Sequence, residues 1–128
     1  MQRDKFESLV ADALAGIPER FREAISNLVI VVEDEPSKAL LREMGLGPRD
    51  TLLGLYSGTP LTERRWDYGN SLPDRIQLFQ GPLERESEDE DDLVVAIGET
   101  LIHEVGHYFG MSEDEIEAIE EQYWNDRA

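Results

Sequence analysis

The sequence contains no cysteine. Disulfides, thiolate nucleophiles and Cys-ligated metal centres are therefore excluded. Basic residues are few: 12 Lys plus Arg stand against 29 Asp plus Glu, a formal charge of −17. So acidic a surface repels nucleic acids and anionic membranes, and neither is expected as a partner. No apolar run exceeds six residues, far short of the roughly twenty a membrane span needs. The first five residues, Met1 to Lys5, are charged and lead into no leader-type apolar stretch, so a cytoplasmic location is expected. Lys is scarcer than Arg, two against ten, and Asn and Gln are also few. With the high charge this composition points to a thermophilic source.

Against these shortages stands a hydrophobic fraction of 40 % over 128 residues, too high for a disordered chain. A chain of this length folds as one domain over 1–128 and buries about two-thirds of the surface its unfolded form exposes. Phe6, Leu9, Val10, Ala13, Leu14 and Ile17 recur at helical spacing, predicting an amphipathic helix that Gly16 and Pro18 end. A short helical stretch over 19–26 follows. Residues 28–32, Leu-Val-Ile-Val-Val, read as a strand buried on both faces and central in a sheet. Residues 37–44 read as a short helix, 51–56 as a second strand and 61–74 as a loop. The partial alternation of Arg75 to Phe79 reads as an edge strand. Two helices close the chain, over 88–109 and from Ser112, where Ser112 and Glu115 have capping-box spacing. Helices and strands in this order make an α+β fold.

The only two histidines stand in one motif, His103-Glu104-Val105-Gly106-His107. On a helix, residues four apart project about 40° from one another, so both imidazoles can share one metal ion. Glu104 stands about 100° from His103, where it reaches a metal-bound water rather than the metal, as a general base does. The alternative makes both histidines spectators. Core histidines would lie on the apolar stripe of Val94, Ile97, Leu101, Val105 and Tyr108, and these two face away from it. The stripe packs on the sheet and leaves the histidines at a cleft. Gly110 can end the helix with positive φ. Glu113 follows three residues later as a candidate third ligand, with Asp114, Glu117, Glu120, Glu121 or water as alternatives. Acids at the start of a helix also simply favour its dipole.

The stretch Gly98 to Glu115 resembles the small bacterial zincin-like metallopeptidases of minimal zincin fold. In that family the pattern is H-E-x-x-H-x-x-G-x-x-D. This chain carries Glu113, one methylene longer, at the final position. The resemblance implies a small mixed sheet with the motif helix packed on it, Zn²⁺ as cofactor, ligation by His103, His107 and Glu113, Glu104 as base, and a peptide or protein substrate. Ordinary zincins line the cleft with a further subdomain, and only fifteen residues follow Glu113 here. Transition-state stabilisation is therefore expected from the metal or from Tyr56 or Tyr68, although packing roles suit both tyrosines. A metal-stabilised binding or regulatory module without peptidase activity is the competing expectation. Seven acids in the nine residues 84–92 read as a solvated run entering the motif helix, with a second cation site as the alternative. Arg64, Arg65 and Trp66 read as part of the loop.

Overall fold

A computed structural model describes residues 1–47, 49–58 and 74–127. The expected loop over 61–74, with Arg64, Arg65, Trp66 and Tyr68, lies outside them except for Asp74. The elements run α1 (Arg3–Gly16), α2 (Glu19–Ile25), β1 (Val29–Glu33), α3 (Lys38–Glu43), β2 (Gly54–Ser57), β3 (Arg75–Phe79), α4 (Gln80–Arg85), α5 (Glu90–Phe109) and α6 (Glu113–Arg127). This is the expected α+β order with one addition. The helix α4 starts directly after β3, because Gly81 and Pro82 fall in its first turn, where a proline costs no helical hydrogen bond. Among the described residues no helix is long and apolar enough to cross a membrane.

The sheet is mixed, with order β1-β3-β2: β1 is parallel to β3, and β2 antiparallel to it. This corrects two expectations. The apolar run 28–32 is an edge strand with Val29 47 % exposed, and the more polar Arg75–Phe79 is the central strand. The reason lies in Gln77, buried in mid-strand. Its side-chain Nε2 donates to Glu33 Oε1 of β1 at 3.0 Å. The polar residue that suggested an edge is satisfied by a neighbouring strand instead of by water.

Alternation sends Ile30, Val32, Ile76, Leu78 and Tyr56 to one face of the sheet. That face packs on α5, and α1 packs on α5 in turn, its Phe6, Leu9, Val10 and Ala13 joining the core. Val94, Ile97, Leu101, Val105 and Tyr108 are all buried there, as the helical stripe predicts. The acidic run enters α5 as expected. Asp89 is its N-cap, accepting from Asp92 N–H at 2.8 Å, and Glu90, Asp91 and Asp92 fill the first turn. Among the described residues it forms no cluster suited to a metal.

At its other end α5 stops at Gly110, φ 74°. Met111 N–H donates to the Gly106 carbonyl and Gly110 N–H to that of His107, a Schellman pattern. Ser112 and Glu115 then cap α6 reciprocally: Glu115 N–H donates to Ser112 Oγ at 3.2 Å, and Ser112 N–H to Glu115 Oε1 at 3.0 Å. The chain thus reverses in three residues, and α6 packs back along α5. Two glycines permit the approach. A methyl on Gly98 would lie 2.0 Å from the Tyr123 hydroxyl oxygen, and one on Gly106 2.5 Å from Ile116 Cγ1.

The packing and the cap generate three predictions. Gly98→Ala gains about 1 kcal/mol of helix propensity, but the overpacking against the stiff Tyr123 ring costs about 1–3 kcal/mol. The net effect is destabilising, measurable as a lower midpoint in urea unfolding; a raised midpoint would show that α6 does not lie this close. Ser112→Ala removes the cap and costs about 1 kcal/mol. The Ser112 N–H also holds the Glu115 carboxyl below the usual carboxylate range. Glu115 therefore stabilises the fold above the ordinary glutamate pKa, and the effect fades as pH falls through the lowered value. The stability gap between wild type and Glu115→Ala should narrow on going from pH 7 into acid. A constant gap would contradict the capping interaction.

Candidate metal centre

The histidines project from α5 on the side away from its buried stripe, with His103 35 % and His107 39 % side-chain exposed. Their rings stand edge to face with centroids 4.7 Å apart. The αL turn at Gly110 and the cap at Ser112 bring the first residue of α6 across from them. Glu113 Oε1 lies 3.2 Å from His107 Nε2, and Glu113 Oε2 lies 3.6 Å from His103 Nε2. One carboxylate thus faces the Nε2 atoms of both rings. On the far side of His103, Nδ1 lies 3.1 Å from Glu120 Oε1. Among the described residues Asp114, Glu117 and Glu121 form no ion pair with either ring, so the structure separates Glu113 and Glu120 from the other acids of α6.

Glu104 is the buried member of the motif, 7 % exposed. Its Oε1 accepts the Tyr56 backbone N–H at 2.7 Å and lies 3.6 Å from His107 Nδ1. Burial pushes its carboxyl above the usual carboxylate range, and the Tyr56 N–H and both imidazoles pull it back. His103, Glu104 and His107 bring three ligand-type atoms within 4.8 Å of one another. Glu104 nonetheless differs from Glu113. Its near oxygen is engaged by a backbone donor and sits on the Nδ1 side of His107, whereas Glu113 faces the two Nε2 atoms. Two imidazoles, one facing carboxylate and a carboxylate behind one ring make a donor set suited to a divalent metal such as zinc.

The strand behind Glu104 is β2. Phe79 N–H donates to the Leu53 carbonyl. In the antiparallel register this makes Leu55 and Ser57 the residues bonded to β3, and turns the amides of Gly54 and Tyr56 outward. The Tyr56 N–H to Glu104 follows from that alternation. A cleft of about 260 Å³ runs there, lined by Leu53, Gly54, Glu99, Thr100, His103, Glu104 and Glu120. Within it burial and the nearby Glu120 charge raise the pKa of Glu99.

The Tyr56 side chain makes packing contacts, the alternative weighed for it. Its hydroxyl donates to the buried Asp74 carboxylate at 2.8 Å, and its ring meets Tyr108 edge-on. The sequence reading also missed the Tyr56 backbone N–H, because a main-chain donor leaves no signal in residue identity. Glu120 was visible only as one acid among several, at helical spacing from Glu113.

No curated protein matches the chain. The family model of the zincin-like metallopeptidases matches residues 25–123, a span that holds β1, β2 and β3, the His-Glu-x-x-His helix, Glu113 and Glu120. The chain therefore belongs to the zincin-like metallopeptidase family.

Proposed function

We propose that the protein is a zinc-dependent peptidase in which His103, His107 and Glu113 hold the metal and Glu104 is the general base. The observation that carries this reading is the shared carboxylate, with the two oxygens of Glu113 facing the Nε2 atoms of both histidines. When bound, zinc supplies Lewis acidity that polarises a peptide carbonyl and acidifies a water.

The protein side chains do the rest. Glu104 Oε1 is tied to the Tyr56 N–H, so Oε2 is the atom that takes the proton of the attacking water. Glu104 then delivers this proton to the nitrogen of the departing amine. The Tyr56 N–H keeps the carboxylate oriented while its charge changes. The substrate backbone pairs along the outward edge of β2 at Gly54, a strand-addition mode. Arg75–Phe79, expected to be an edge strand, is unsuited to it because β3 is paired on both sides. Gly54 suits it: a methyl there would lie 2.6 Å from Thr100 Cγ2, so β2 lies close over the motif helix. A polypeptide substrate also accords with the charge of −17, which disfavours nucleic acid.

The test is metal analysis of the purified protein together with a proteome-wide cleavage screen. Wild type should carry stoichiometric zinc, and His103→Ala or His107→Ala none. Glu104→Gln should keep zinc and lose cleavage by a factor of about 10²–10⁴. Stoichiometric zinc in a wild type that cleaves nothing would favour the metal-stabilised binding module. Cleavage undiminished in Glu104→Gln would overturn the assigned base.

A further inference from the structure

We infer that Glu120 is a positioning residue for the metal centre: it holds the proton of His103 on Nδ1 and so presents Nε2 as the donor. This inference rests on the proposed metal site and adds to it a residue that touches no metal. The sequence reading counted Glu120 among possible ligands. Its carboxylate instead lies behind the ring, with Oε1 3.1 Å from Nδ1, while Nε2 of the same ring faces Glu113. A carboxylate accepts hydrogen bonds and cannot donate them, so Nδ1 must carry the hydrogen. The lone pair of the neutral ring is then on Nε2. The same bond fixes the ring's rotation.

Packing makes Glu120 suited to the task. Seven residues are two helical turns with about 20° of drift, so Glu113 and Glu120 share the stripe of α6 that faces α5. Glu120 lies four residues after Ile116 and three before Tyr123. These are the two side chains lodged against Gly106 and Gly98. The backbone is thus pinned on both sides of Glu120, and the side chain is 25 % exposed against 71 % for Glu113. The two histidines are also unequal. Among the described residues the Nδ1 of His107 is paired with Glu104 Oε1, at 3.6 Å, and that oxygen already accepts from Tyr56. His103 is therefore the histidine whose Nδ1 has a carboxylate within hydrogen-bonding distance.

The test has two readouts on the full chain. The first is zinc affinity by chelator competition. Glu120→Ala should bind one zinc with affinity lowered about 10–100-fold. Glu120→Gln keeps an acceptor oxygen for the Nδ1 hydrogen, so its loss should be smaller. The second is the His103 tautomer in the metal-free protein, read from long-range ¹H–¹⁵N NMR correlations. Wild type and Glu120→Gln should show hydrogen on Nδ1, and Glu120→Ala should show a shift toward Nε2. Far-ultraviolet circular dichroism of each variant separates misfolding from loss of the bond, and Glu120→Gln keeps the test alive if Glu120→Ala does not fold. Wild-type affinity in Glu120→Ala with an unchanged tautomer would overturn the inference. Loss of all zinc from both folded variants would also overturn it, because that behaviour belongs to a direct ligand. If wild type itself bound no zinc, the metal-site reading would fail, and the tautomer readout would still decide whether Glu120 sets the ring.

Discussion

Two glycines on α5 let α6 approach closely enough for Ile116 and Tyr123 to lodge against bare helix backbone, and the site depends on that contact. The histidines of α5 alone are two exposed rings on a helix. With α6 in place, one ring gains a carboxylate on each side, and both Nε2 atoms face Glu113. The turn between the helices is as specific as the packing. A left-handed residue at Gly110 ends one helix, and a reciprocal Ser112–Glu115 cap starts the next. These devices spend only three residues on the reversal, so the first turn of α6 arrives level with the last turn of α5. Close packing of this kind tolerates little change in volume, which couples the fold's stability to the site's geometry.

The sheet contributes through its edge. A buried carboxylate is costly unless hydrogen-bonded, and Glu104 meets that requirement with a main-chain N–H of β2. Antiparallel pairing leaves the amides of alternate residues of β2 pointing away from β3. One of them orients the proposed base, and its neighbour two residues back lies at the cleft. A single strand edge therefore serves both the chemistry and the proposed substrate path. Asp74 and Tyr108 hold the Tyr56 side chain in place.

The motif helix was legible because its evidence is periodic and its residue types are rare: both histidines of the chain lie on one face, and five apolar residues lie on the other. The caps were legible for a similar reason, since Gly110, Ser112 and Glu115 report backbone needs that few other residues meet. Strand order was not legible. The run at 28–32 is apolar because Ile30 and Val32 pack against the core and β-branched residues favour extended backbone. Whether that strand is central depends on partners more than forty residues away. Gln77 misled for the converse reason, because its polar side chain is satisfied by Glu33 inside the sheet. Among the acids of α6, spacing alone left five candidates, and only the antiparallel packing distinguishes the two that reach a ring nitrogen. Helix α4 was missed because a Gly-Pro pair ends a strand and opens a helix equally well.

The central claim is that two imidazoles and the Glu113 carboxylate converge on one metal ion. X-ray absorption at the zinc K-edge of the loaded protein tests it most directly. The account predicts a shell of nitrogen and oxygen donors at about 2.0–2.2 Å, with the outer-shell scattering of two imidazoles, falling to one in any zinc retained by His103→Ala. A shell of oxygen donors alone, unchanged by that substitution, would contradict it.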